Sequence, residues 1–167
     1  MVDLEPAHIL LTKREVVMGA ECGVTRNICS WDYQDAYGFE EEHGWNAHIE
    51  GACGEIAVAK LLNRFWSPTV NTFDAADIGM KIQVRTRSRH DYELYIRPED
   101  NPEHAFVLVT GKAPMFMVRG WLLARNARCD EWLQTYGGRP PAWFVPTSAL
   151  WPWRDLRHRA SLVEAAE

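Results

Sequence analysis

The run from His48 to Trp66 constrains this chain more than any other stretch. It reads His48-Ile49-Glu50-Gly51-Ala52-Cys53-Gly54-Glu55-Ile56-Ala57-Val58-Ala59-Lys60-Leu61-Leu62-Asn63-Arg64-Phe65-Trp66, and Ser67-Pro68 follows as a stop signal. A helix advances about 100° per residue, so Ala59, Leu62 and Trp66 all fall within about 40° of Glu55. Ala52, Ile56, Val58 and Phe65 widen this apolar arc. The spacing therefore predicts a helix over 48–66 with a carboxylate near the middle of its buried stripe. A lone carboxylate there is unfavourable unless it is paired, hydrogen-bonded or bound to a cation. Two readings stay open for Glu55. One is an ion pair with a buried arginine, or a cap near Gly54; the other is a carboxylate pointing into a site.

The flanking sequence supplies strands for such a helix to cover. Met80, Ile82 and Val84 alternate with Lys81, Gln83 and Arg85, the pattern of a half-buried strand over 80–87. Residues 92–97 predict a second strand, joined to the first by a polar hairpin loop, Arg87-Ser88-Arg89-His90-Asp91. Phe106 to Thr110 is continuously apolar until its last residue, which predicts a strand covered on both faces. Met115 to Leu123 predicts a strand interrupted at Gly120, residues 124–136 a helix, and Trp143-Phe144-Val145 a short strand. Near the N-terminus, Thr12 followed by Glu15 fits a capping box and predicts a short helix. Residues 19–46 show no clean period, and the charged last ~15 residues are expected to fray. The order of elements predicts an α/β or α+β sheet with at least one covered face. The 167 residues suit a single domain.

Composition removes several function classes. No apolar run approaches the ~20 residues of a membrane span. Met1 to Thr12 carries Asp3, Glu5 and Pro6 and has no basic start, so a signal peptide is not expected and the cytoplasm is. Cys22, Cys29, Cys53 and Cys129 form no Cys-x-x-Cys pair and read as ordinary thiols. Phosphate-loop and dinucleotide-binding glycine patterns are missing, so no nucleotide cofactor is expected. The net charge of −5 excludes polyanion binding through bulk charge. Against that background, Lys81, Arg85, Arg87 and Arg89 form a local basic stripe, and their equal parity puts them on one face while the chain stays extended. The stripe is either a solvated hairpin or a phosphate-contacting surface. Trp121, Trp132, Trp143, Trp151 and Trp153 read as packing residues, with base stacking as the other use of an exposed pair.

Asp74 and Asp77 precede the first strand, where aspartate is often only a turn residue. Gln83 and Arg85 share one strand face. Glu55 in GACGEIAVAKLL, Asp77 in ADIG, and Gln83 with Arg85 in IQVRT follow one another in an order that resembles the PD-(D/E)XK nuclease superfamily. The longer run through YELYIRPED, FVLVTGKAP and VRGW, with the C-terminal WFVPTSALWP, is similar to short restriction-endonuclease-like proteins of phage and prophage genomes. The resemblance implies a three-layer core over 48–123, with a central mixed sheet flanked by helices. Residues 1–47 would be an extension packed on it, and 124–167 would complete the same domain. It further implies Mg²⁺ or Mn²⁺ held weakly by Glu55, Asp77 and Gln83, with Asp74 as a further candidate. Arg85 would stabilise developing charge, and Lys81, Arg87 and Arg89 would contact DNA. A homodimer is compatible with it, as is a bacterial host cell for a phage-encoded chain. Two departures bear on chemistry. Gln83 stands where the pattern has an acid and brings an oxygen without charge. Arg85 stands where it has a lysine and, being always protonated, cannot act as a base. The expectations are thus a metal-dependent DNA endonuclease or, in the alternative, a catalytically inactive nuclease-fold protein that binds DNA or a protein partner. An assembly factor is a third and weaker expectation.

Overall fold

The computed structural model describes residues 5–31, 41–70 and 75–157. Asp74 lies outside the described residues. A four-stranded mixed sheet forms the centre, in the order β1 (Ala7–Leu10), β5 (Met115–Leu123), β4 (Ala105–Lys112), β2 (Ile82–Arg87). β1 and β4 each pair antiparallel with β5, and β2 pairs parallel with β4, leaving β2 at an edge. One face is covered by two helices, α1 (Lys13–Ser30) and α2 (Glu41–Leu62). The other face carries a small antiparallel sheet, β3 (Leu94–Ile96), β7 (Ala142–Val145) and β6 (Leu133–Gln134), together with the single-turn α3 (Ala124–Ala127). The protein is therefore a mixed α/β fold in three layers, with one flank of helix and the other mainly of sheet.

β4 explains why both faces need cover. Val107 and Val109 pack with the helices, whereas Phe106 and Leu108 pack with the small sheet. This is the continuous apolar run expected of a doubly covered strand.

α1 starts where the capping box places it. The Thr12 N–H donates to the Glu15 carboxylate at 2.6 Å, and the Glu15 N–H donates to Thr12 Oγ1 at 3.3 Å. The helix then runs for 18 residues, through a segment expected to be irregular. Its inner face is Gly19, Cys22, Gly23 and Asn27, too small and polar to show a hydrophobic period. Close approach replaces periodicity here. A Cβ on Gly23 would lie 2.5 Å from Ile49 Cα, and one on Gly19 would lie 2.6 Å from Cys53 Sγ. The two helices touch backbone to backbone because these positions lack side chains.

α2 begins before residue 48 and ends at Leu62, short of the expected end. Asn63 takes a left-handed conformation (φ 54°), and the Arg64 N–H closes back onto Ala59 O at 2.9 Å, a glycine-type helix stop made with asparagine. Phe65, expected in the apolar arc, is 84% exposed as a result, and Trp66 reaches the core from outside the helix.

Two further expectations need correction. Residues 88–93 are not a hairpin: β2 and β3 belong to different sheets, and Leu94, Tyr95 and Ile96 pair with Val145, Phe144 and Trp143 of β7. Because β2 runs parallel to β4, the chain between them must cross over, and it does so across the sheet face opposite the helices. Residues 124–136 form α3, a 3-10 turn at Asp130–Trp132 and β6 instead of one helix, since Leu133 and Gln134 extend to pair with β7. β5 passes through Gly120 with a bulge, because Leu108 faces Gly120 while Val109 faces Val118. Among the described residues no helix is long and apolar enough to cross a membrane.

Candidate functional site

Gly54 sets the geometry. A Cβ there would lie 2.0 Å from Thr86 Oγ1, so α2 crosses β2 at close contact. The next residue, Glu55, is thereby delivered to the edge-strand side of the sheet. It is 6% exposed, as its place in the apolar stripe predicts.

Glu55 is fully engaged. Arg26 of α1 donates Nη1 to Oε1 at 2.6 Å and Nη2 to Oε2 at 2.9 Å. The Trp66 indole Nε1 donates to Oε2 at 2.9 Å. Arg26 in turn donates Nε to Thr69 O at 2.9 Å. Of the two readings left open by the sequence, the ion pair is the one present, with an arginine that is partly buried. Arg26 itself was not identified from the sequence. The signal for it was the face Gly19-Cys22-Gly23-Arg26, which places a long cation one turn beyond two close-packing glycines.

Asp77 sits just before β2 and borders a cleft of about 340 Å³ with Arg64, Phe65, Ser67, Ala76 and Gly79. Residues 78 and 82 form an antiparallel bridge, with Ile78 N–H to Ile82 O at 3.1 Å and Ile82 N–H to Ile78 O at 3.3 Å. The Val84 N–H then donates to Asp77 Oδ2 at 2.7 Å. The aspartate side chain thus stands in for a backbone carbonyl on the open edge of β2. Burial, and after it the Glu55 charge, raise the Asp77 carboxyl from its ordinary 3.8 to about 7. The Val84 N–H, Arg85 and Arg26 act in the opposite direction. Asp77 therefore feels charges from both sides of the sheet.

Gln83 and Arg85 point away from α2, which lies on the Ile82, Val84 and Thr86 side of β2. Glu55, on the α2 side, therefore faces away from Gln83, with which the resemblance implies that it shares a cation. Gln83 Nε2 donates to Ala75 O at 3.1 Å and lies 3.5 Å from His104 Nδ1. Arg85 Nη2 donates to both Asp100 oxygens, at 2.8 and 2.9 Å. Its guanidinium also lies 5.0 Å from the Tyr95 ring centre and 4.8 Å from that of Phe106. Among the described residues, the buried Arg85 Nε has no hydrogen-bond partner.

The basic stripe divides along its length. Lys81 precedes β2 and is exposed. Arg87 lies over Tyr92 (4.5 Å) and Tyr95 (5.2 Å); burial lowers its pKa, and nearby Arg139 lowers it further. Arg89 lies past the end of β2, donates to Asp91 at 2.6 and 2.9 Å, and sits 5.2 Å from the Tyr92 ring centre. The single extended face expected for the four residues ends at Arg87, where the chain turns toward the small sheet.

A magnesium ion needs an octahedral shell of oxygens. Three N–H donors occupy the Glu55 carboxylate and one occupies Asp77 Oδ2. Among the described residues no group of three or more His, Cys, Asp or Glu side chains gathers to hold a metal. In this arrangement the donor set does not fit the ion that the resemblance implies. No family model matches this chain, and comparison with curated proteins and with solved structures found no match.

Proposed function

We propose that this chain is a nuclease-like DNA-binding protein whose carboxylate corner is closed by its own arginine, so that it binds polynucleotide without metal-dependent cutting. The observation that carries this reading is the two-pronged Arg26–Glu55 pair, with the Trp66 indole on the same carboxylate. The guanidinium supplies internally the positive charge that a buried carboxylate requires. Arg85, held by Asp100 and two rings, is a fixed cation and not a proton acceptor. Binding is supported by Arg87 and Arg89, which place guanidinium groups among tyrosines on a chain that is acidic overall.

The test is plasmid and single-stranded DNA incubated with the protein in millimolar Mg²⁺ or Mn²⁺, beside a gel-retardation assay at low salt. The expected result is retarded DNA and no nicking. Nicking by the wild type that disappears in Asp77→Ala would instead establish the metal-dependent endonuclease. Absence of retardation at any salt concentration would transfer the function to a protein partner.

A further inference from the structure

The outward face of the small sheet carries a second feature, which the basic stripe alone does not describe. Leu94 and Ile96 are fully buried beneath β3, so Tyr95 between them projects to the opposite side. Its cross-strand partner on β7 is Phe144. Directly paired residues share a face, so the two rings are neighbours on the outside of the sheet. Tyr136, 52% exposed, packs edge-on against Phe144 with ring centres 4.8 Å apart. Tyr92, 37% exposed, continues the aromatic surface toward β2.

Guanidinium groups are interleaved with these rings. Three converge on Tyr95: Arg85 at 5.0 Å, Arg87 at 5.2 Å and Arg97 at 5.4 Å from its centre. Gathering like charges this way is unfavourable unless the rings and a nearby anion offset their repulsion. Asp100 neutralises Arg85, and Glu93 acts on Arg87 from a distance. Arg87 meets only rings at close range among the described residues. A ring beneath a guanidinium restrains its plane and leaves its N–H edges outward, where they match a phosphate.

We infer that this face is a platform for single-stranded DNA, in which Tyr95 is a positioning residue that holds Arg87 toward the phosphates while the exposed rings take unpaired bases. The inference rests on the DNA-binding reading above and adds the form of the partner and the surface used. A duplex hides its bases, so it would engage the arginines alone. A single strand offers both phosphates and π-faces to a surface that alternates cations with rings.

The experiment measures fluorescence anisotropy of a labelled oligothymidylate and of a duplex of equal length, using the full chain over a range of salt. The variants are Tyr95→Phe, Tyr95→Leu, Arg87→Gln and the Tyr95→Leu/Arg87→Gln double. Wild type should prefer the single strand. Tyr95→Phe should bind within about twofold of wild type, because the ring remains. Tyr95→Leu should weaken binding about fivefold or more, in line with loss of a guanidinium–ring contact. Arg87→Gln should flatten the salt dependence by about 0.7 for one lost single-strand phosphate contact. The double variant should be little worse than the poorer single one, since the ring acts through the arginine. Full affinity in both Tyr95→Leu and Arg87→Gln, with wild type still bound, would place the DNA elsewhere and overturn the inference alone. Equal or tighter duplex binding would overturn the single-strand assignment. If wild type binds neither DNA at low salt, the DNA-binding reading fails and this inference with it. Should Tyr95→Leu not fold, Arg87→Gln and the salt slope still decide.

Discussion

The two faces of the central sheet each hold a partly buried arginine against a carboxylate, and they do so differently. On the helical face, Arg26 and Glu55 come from separate helices, the carboxylate is engaged by three N–H groups, and Arg26 spends its Nε on Thr69 O. On the opposite face, one guanidinium nitrogen of Arg85 donates to both Asp100 oxygens, the Tyr95 and Phe106 ring centres lie 5.0 and 4.8 Å from the cation, and its Nε has no partner among the described residues. The first arrangement is closed: among the described residues, three N–H groups take up the carboxylate, and the guanidinium is spent on Glu55 and Thr69. The second is less complete: Asp100 takes only Nη2, rings support the cation, and the buried Nε has no hydrogen-bond partner among the described residues. The comparison teaches that a carboxylate buried in an apolar helix stripe is no mark of a working site, because a packed guanidinium can satisfy it. The satisfied pair joins two helices, and the less satisfied one lies beside the face proposed above to take single-stranded DNA.

The largest expected effect is on the closed pair. Arg26→Ala should leave the Glu55 carboxylate buried without its cation, lowering unfolding free energy by about 3–5 kcal/mol in urea titration. Arg26→Met combined with Glu55→Leu should recover most of this, because apolar replacement of both partners removes the stranded charge. A single-variant loss below about 1 kcal/mol would show that the helical face does not depend on the pair.

Asp100→Ala should come next, at about 2–3 kcal/mol, because Arg85 keeps its two rings and the Arg97 N–H loses an acceptor (2.8 Å). A loss equal to that of Arg26→Ala would erase the distinction drawn between the faces.

Gly54→Ala should cost about 1–3 kcal/mol through overpacking against Thr86, whose Oγ1 would lie 2.0 Å from the new carbon. Gly51→Ala, with nothing within 4 Å of the new carbon, is the matched control in the same helix and should be neutral or slightly stabilising. Equal thermal shifts for the two would disprove close helix–strand contact as the reason for Gly54.

The last effect, at Asp77 between the two faces, vanishes near pH 4 and is read from its pH dependence. Its folded-state pKa of about 7 lies above the ordinary 3.8, so the folded protein binds more protons across that interval. Stability should therefore fall as pH rises from about 4 to about 7 and level off above it. Asp77→Asn keeps a carbonyl for the Val84 N–H and removes the titration. The variant should match wild type near pH 4 and exceed it above pH 7, the difference opening between those two values. A stability difference that does not change with pH would show that Asp77 is not held against its neighbours' charge.

Much of the architecture was legible locally. The capping box at Thr12 and Glu15, the alternation over Ile82 to Arg85 and the doubly apolar β4 each depend on a few adjacent residues and on periods that backbone geometry imposes. The length of α1 was not legible, since its inner face is made of glycine and small residues whose value appears only against a second helix. The supposed hairpin failed for a related reason. Two strands six residues apart can pair with each other or with distant partners, and only burial on the far face of β4 settles which.

For the site, the sequence by itself determined that Glu55 would be buried, because a helix's 3.6-residue period leaves no other place for it. It also determined that Gln83 and Arg85 would share a face, because a strand repeats every two residues. Only the tertiary structure decided that the charge facing Glu55 is Arg26, twenty-nine residues away on another helix. It likewise decided that Arg85 turns from that carboxylate toward Asp100 and Tyr95. The physical reason is that periodicity assigns a side chain to a face, whereas the partner of a buried charge is set by which elements pack against that face.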